Sequence, residues 1–402
     1  MSEDATEGKN SSEPAPQPPA TPEINSAPEP EASKPSNDAA KENGSGKTEV
    51  HSSERKKEGK IGGDLMPERE EVVAVDRWGM VLLKDNIEKF DRTKPPTDKE
   101  IEWELKWASM VGKWDKYKEK LDQNNKVKKR VRLGIADSVR ASIWPRLCNA
   151  DVMLEKFPGL YQKLLTKKLK QKDEEQLHKD LHRTDPRNII FYNKGLGQES
   201  LYNVLKAYCL YDPKVGYCQG MGALAGLLLT YVPEETAFWM MVRLMSDRKY
   251  ACAGLYSPGF PELFKHMAMH DKLLYRHDKK LYKCLQAKHV QTGIYAFRWY
   301  QGRFYEFPKE LFIRVMDIFL LEGRKIVFRV ALYLLMSHRK EFFAADDEKA
   351  LRIARDLRDD PYTKKAPDAA KLIEKALEVN LTRHELAKVE KEYEESLKDG
   401  KR

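Results

Sequence analysis

Two stretches of the chain hold the side chains best suited to chemistry. In "LHKDLHRTDPRNIIF", Leu177 to Phe191, the residues Leu177, Asp180 and Arg183 lie three apart. On a helix that spacing lets Asp180 reach Arg183 as an i,i+3 pair. Thr184, Asp185 and Pro186 then stop the helix, because proline disfavours helical geometry in the residue before it. Arg183 therefore stands at a helix end beside a loop, braced by a carboxylate, which is how a guanidinium would be offered to a partner. An ordinary surface ion pair, worth little, fits the same stretch. In "VGYCQGMGALAGLLLTYV", Val215 to Val232, Gln219 sits between Gly216 and Gly220 at the mouth of an apolar run. Its amide holds both an acceptor and donors. Gln219 is thus either a plug for backbone groups at the head of a buried helix, or is held outward to touch something. Tyr217 beside it reads as a packing residue.

Other chemistries lack their motifs. No GxxxxGK[ST] loop, no GxGxxG after a strand and no GxSxG elbow occurs, so nucleotide binding and α/β-hydrolase chemistry have no support. His178 and His182, four apart, superficially suggest a zinc site. Lys179 follows the first histidine where a glutamate would be needed, and no third ligand is suggested downstream. The expectation is no metal and two partly solvated histidines.

Charge and composition set the bounds. The chain has 402 residues and a net charge of +9. Residues 1–70 carry nine Lys/Arg and fifteen Asp/Glu, a balance of −6, which leaves +15 to the remainder. That opening segment holds no Phe, Trp or Tyr and is crowded with Pro, Ser, Ala and Glu, so a disordered tail is expected. The basic remainder reads by default as a solvated face; it also suits an acidic protein partner or peripheral contact with an anionic membrane. No aromatic-basic groove or recognition helix points to nucleic acid. Five cysteines without a CxxC pair suit core packing in a reducing compartment. No signal-peptide plan is present, and the longest apolar run, Met221–Val232, is too short for a bilayer that needs about 20 residues. The reading is a cytoplasmic, soluble protein.

Helical period dominates the elements that must position these residues. Thr97 and Glu100 form a capping-box pattern before a segment in which Ile101, Leu105, Ala108 and Val111 share a face. Asp137 is placed to cap the helix of "SVRASIWPRLC", and Pro145 within it predicts a kink or an early end. Further helical segments follow to about residue 345, with Thr382 and Glu385 repeating the capping-box pattern near the end. Strand-like alternation is almost absent. The fold class is all-α: a disordered tail (1–70), an N-terminal helical extension (71–127), a helical domain (128–345) and charged C-terminal helices (346–402).

Taken together, "VRLGIADSVRASIWPRL", "LHKDLHRTDPRNIIF", "VGYCQGM" and "PKELFIRVMDIFLLEG", in this order, resemble the TBC domain of Rab GTPase-activating proteins over residues 128–340. The resemblance implies a large, two-lobed, all-α array that accelerates GTP hydrolysis on a GTP-bound Rab-type small GTPase and so regulates vesicle trafficking. By position, Arg183 matches the arginine finger, Gln219 the glutamine finger and Asp180 the acidic residue that supports the arginine. Tyr217 belongs to the same YxQ motif, and Arg140 and Trp144 match an RxxxW motif. GTP and Mg²⁺ would arrive with the partner, which would also bring the chain to its membrane, and the chain needs no cofactor of its own. Three positions depart from the pattern. Ala136 replaces a proline, Asp185 replaces an aromatic, and Met316 replaces the tryptophan of RxWD. A non-catalytic scaffold that binds a GTPase or a membrane partner is the alternative; retention of both Arg183 and Gln219 argues against it.

Overall fold

A computed structural model describes residues 72–75, 79–83, 97–119, 121, 123–192, 196–358 and 368–399. The tail expected over residues 1–70 lies outside the described residues. The first described element is a short antiparallel ribbon, β1 (Val72–Val75) with β2 (Val81–Leu83). The extension expected to be helical from residue 71 therefore opens on two strands. Valine, branched at Cβ, favours them, and Gly79, at φ 81°, sits in the turn between them. Strands of four and three residues are too short for an alternating pattern to register.

Nineteen helices follow among the described residues. They are α1 (Asp98–Val111), α2 (Asn125–Leu133), α3 (Asp137–Leu147), α4 (Ala150–Lys156), α5 (Leu160–Leu165) and α6 (Gln171–Leu181). Next come α7 (Gly197–Tyr211), α8 (Met221–Tyr231), α9 (Glu234–Ser246), α10 (Pro261–His277), α11 (Lys279–Ala287), α12 (Thr292–Tyr295) and α13 (Phe297–Gly302). The last are α14 (Lys309–Glu322), α15 (Lys325–Ser337), α16 (Arg339–Ala344), α17 (Asp347–Asp356), α18 (Ala369–Glu378) and α19 (Arg383–Asp399). The expected all-α class holds. No helix among the described residues is long and apolar enough to cross a membrane.

Local signals explain most starts, with two corrections. The capping box at α1 is complete: the Thr97 hydroxyl accepts from the Glu100 N–H, and the Thr97 N–H donates to the Glu100 carboxylate at 2.8 Å. The face of α1 is not the expected one. Ile101 and Leu105 are 44% and 65% exposed, while Trp107 and Met110 are buried and Trp103 packs beside them. The indole N–H groups of Trp103 and Trp107 both donate to the Gly134 carbonyl, at 3.2 and 2.8 Å. The aromatic stripe brings more area than the aliphatic one and satisfies a loop carbonyl as well. The cap of α3 is Ala136, which offers no side-chain bond, and Asp137 lies one residue inside, paired with Arg140. Pro145 ends that helix two residues later, as its missing N–H leads one to expect.

The innermost element is α14, in which every residue from Leu311 to Glu322 is buried. A helix apolar nearly all round belongs at the centre of a large core, and α15 and α18 pack against it. Asp317 is the polar exception. Its wholly buried carboxylate accepts from Arg140 Nε at 3.0 Å and from Trp144 Nε1 at 2.8 Å, and Arg314 lies 3.4 Å away. This clamp ties α3 to α14. The charged α19 docks on α10 through Lys265–Glu390 and Arg276–Glu392, while Arg324 also reaches Glu390. Beneath α18 lie the buried side chains of Leu372, Ile373 and Ala376.

Candidate functional site

The site grows from the end of α6. That helix stops at Leu181, and the chain turns through Arg183, whose N–H donates to the Asp180 carbonyl at 3.1 Å. The Arg183 side chain is 60% exposed, whereas that of Asp180 is only 8% exposed. Asp180 spends both carboxylate oxygens locally. Oδ1 accepts from Arg183 Nη2, and Oδ2 accepts from the Tyr217 hydroxyl at 2.8 Å. Burial, then the neighbouring Asp180 carboxylate, push the Tyr217 phenol up, so it remains a protonated donor at neutral pH. An ion pair with so exposed an arginine adds little stability; its effect is to aim the guanidinium.

Tyr217 lies two residues before Gln219, so one buried carboxylate joins the arginine turn to the glutamine turn. Gln219 is exposed, and its amide makes no hydrogen bond to a described residue. The residue that caps α8 is Gly220, with no side-chain bond. Gln219 is therefore not the plug. The flanking glycines have a conformational reason: Gly216 and Gly220 hold φ of 61° and 100°, which side chains rarely adopt.

The turn after Arg183 is anchored from below. The Thr184 hydroxyl donates to the Asp180 carbonyl at 2.9 Å, and Thr184 lies directly against α8. A Cβ at Gly222 would sit 2.6 Å from Thr184 Oγ1, and one at Gly226 would sit 3.2 Å from Thr184 Cγ2. Two glycines four apart thus let the arginine turn rest on the helix that follows Gln219. Asp185, at φ 46°, is buried and accepts from Lys309 Nζ at 2.5 Å, and its N–H donates to the Tyr305 hydroxyl. A bridge between Met80 and Asn188, with the Ile189 N–H donating to the Gly79 carbonyl at 2.8 Å, ties the N-terminal ribbon to the same loop.

The structure thus joins Arg183, Asp180 and Tyr217 by contact and sets Gln219 beside them in sequence. It does not add Arg140, expected as a supporting residue. Arg140 is buried and bound to Asp317, Asp137 and the Ile135 carbonyl, a packing role in the α3–α14 clamp. Met316, in the same motif as Asp317, is buried. His178 is exposed and stacks on Tyr202 at 5.2 Å. Sequence reasoning missed Thr184, Lys309 and Tyr305 as the supports of the turn. The GxxxG spacing of Gly222 and Gly226 was the available signal for the first.

Residues 137–343 match the family model of the Rab-GTPase-TBC domain, about half of the chain. The chain belongs to this family. Among its relatives is the human ecotropic viral integration site 5 protein homolog, 36% identical over 296 residues, covering 73% of this chain and 35% of that protein. Human TBC1 domain family member 10B is 37% identical over 242 residues, 60% of this chain and 29% of that protein. The Drosophila TBC1 domain family member whacked is 33% identical over 253 residues, 62% of this chain and 68% of that protein. The chain therefore spans only about a third of the length of these two human relatives. The fold agrees with that of the Chlamydomonas flagellar RabGAP TBC domain, with TM-score 0.56 at 23% identity, over 76% of this chain and all of that one. It agrees also with the Ypt/Rab-GAP domain of Gyp1p, with TM-score 0.53 at 17% identity, over 67% of this chain and 97% of that one. In this TBC domain, α3 opens the matched region and α16 closes it.

Proposed function

We propose that this TBC domain stimulates GTP hydrolysis on a GTP-bound Rab-type small GTPase by inserting Arg183 and Gln219 into the partner's active site. One arrangement carries the reading: the exposed Arg183 and the turn that bears the exposed Gln219 are held by the two oxygens of the same buried carboxylate, Asp180. Hydrolysis builds negative charge on the phosphoryl oxygens and needs a water in line for attack. The Arg183 guanidinium supplies permanent charge and fork-shaped donors to those oxygens. The Gln219 amide accepts from the water through its carbonyl and donates through its NH₂, taking the place of the GTPase's own glutamine. GTP and Mg²⁺ belong to the partner; this chain contributes charge, aim and the exclusion of solvent. An arginine finger is typically worth about 10³–10⁵ in rate, roughly 4–7 kcal/mol of barrier. The chain acts in the cytoplasm, on the membranes to which its partner is anchored, as a regulator of vesicle traffic.

Single-turnover GTP hydrolysis across a panel of purified Rabs tests this. One or a few Rabs should be accelerated by at least about 10²-fold, and much of that should survive mutation of the Rab's own catalytic glutamine. Binding to a GTP-loaded Rab with no acceleration would make the domain a scaffold.

A further inference from the structure

A second polar cluster lies in the core among η-turn and helix residues of α10, α13, α14 and α15. It surrounds a buried cavity bordered by His266, Arg303, Arg324, Tyr250, Phe319 and Phe328, among others. The cavity leaves about 10 Å³ for the centre of a water-sized sphere, room for a single small species. Its central feature is Arg303, only 2% exposed. Arg303 Nη1 donates to the Tyr256 hydroxyl at 3.1 Å and to the Gln301 carbonyl at 3.3 Å. Its Nε and Nη2 meet no hydrogen-bond partner among the described residues.

No carboxylate among the described residues forms an ion pair with Arg303. The carboxylates nearby are engaged elsewhere: Glu262 and Glu390 both pair with Arg324 and Lys265. Cys252 supplies no charge either, because burial raises its thiol more than Arg303 lowers it. Tyr256 likewise stays neutral, raised by burial. An unpaired buried guanidinium is heavily disfavoured, so a fold that retains one needs an anion there.

The donor count decides the class of anion. His266 is buried, and burial, then the positive charge of Arg324, hold its pKa well below the usual histidine range. It is therefore neutral. Its Nε2 faces Arg324 Nη1 at 3.5 Å. A guanidinium cannot accept, so Nε2 is the acceptor and the proton resides on Nδ1. Nδ1 also lacks a partner among the described residues. Three buried N–H donors thus border one small cavity, with no unsatisfied acceptor on Arg303 or His266 to match them. A water accepts two hydrogen bonds and must also donate two. A spherical anion accepts from all three donors and cancels the charge.

We propose that this cavity binds a single halide ion, chloride under physiological conditions, held by Arg303 Nε, Arg303 Nη2 and His266 Nδ1. The ion completes the core beneath the catalytic turn, because Tyr256, bonded to Arg303, also lies 3.5 Å from where a Cβ on Gly220 would sit.

Thermal unfolding of the full chain is measured as chloride rises from about 1 to about 150 mM, with gluconate keeping ionic strength constant. A ligand that binds only the folded state raises the midpoint with its concentration. The midpoint should climb by several degrees in chloride and in bromide, against the general stabilising tendency of strongly hydrated anions. Crystals grown in bromide should show an anomalous peak between Arg303 and His266. Arg303→Met should abolish the chloride dependence and the peak, and His266→Phe should weaken both. If Arg303→Met does not fold, the wild-type titration and the bromide peak decide alone. Equal midpoints in chloride and gluconate, together with no anomalous peak, would overturn the proposal and leave the cavity to water.

Discussion

Arg183 and Asp180 show how little of a residue's role lies in pair energy. With Arg183 largely exposed, their contact adds little stability, yet it sets where five fixed donors point. Arg183→Ala and Arg183→Lys should therefore each reduce stimulated hydrolysis by about 10²-fold or more, since lysine keeps the charge but loses the fork. Gln219→Ala should be comparably severe, because the attacking water loses its orientation. The double variant should be little worse than either single one, as expected for groups that act as a unit. Single-turnover rates check all three, and thermal midpoints close to wild type would separate chemistry from folding. Both fingers were legible because their motifs place specific residue types at a helix end and a glycine turn. The Tyr217–Asp180 bond was not, since it joins residues 37 apart through a contact that no local period encodes. Arg140 was misread for a related reason: its counter-charge, Asp317, lies 177 residues away.

At the scale of elements, α8 is the platform and α3–α14 the brace. Gly222→Ala would thrust a methyl to 2.6 Å from Thr184 Oγ1, the same oxygen that bonds the Asp180 carbonyl. Overpacking strain of about 1–3 kcal/mol should exceed the gain of up to about 1 kcal/mol from replacing a helical glycine by alanine. The turn carrying Arg183 should then yield, so stimulated hydrolysis should fall several-fold while GTPase binding persists. A variant with full activity would show that the turn has slack. Asp317→Ala makes a contrasting case. It leaves Arg140 and Arg314 buried with no carboxylate between them, which should lower stability by about 3–5 kcal/mol. Urea unfolding should register that loss. Helix existence was largely legible because apolar residues recur with the helical period. The choice of face was harder. On α1 two stripes compete, and only the Gly134 carbonyl, bonded by Trp103 and Trp107, reveals why the tryptophans turn inward.

For the molecule as a whole, acidity should act through histidines in the core rather than through the fingers. His270 is fully buried, with its ring nitrogens 2.8 Å from the Tyr300 hydroxyl and 3.1 Å from that of Tyr295. Burial lowers its pKa to about 3, and His266 is lowered in the same direction. An unfolded chain protonates both near the ordinary value of about 6.5, while the folded chain resists. Between pH 6.5 and 3 the unfolded state therefore binds more protons, and stability falls as pH falls. Each such group contributes a slope of about 1.4 kcal/mol per pH unit within that window. His270 alone should weaken the fold by about 2 kcal/mol between pH 7 and pH 5. His270→Gln should be less stable than wild type at pH 7, having lost the ring that fills the space between two tyrosines. It should nevertheless lose about 2 kcal/mol less on going to pH 5. Carboxylates elsewhere titrate alike in both proteins, so the difference between their urea-unfolding free energies isolates this one ring. Parallel pH profiles would mean that His270 accepts a proton within the fold, with Tyr295 and Tyr300 turning to accommodate it.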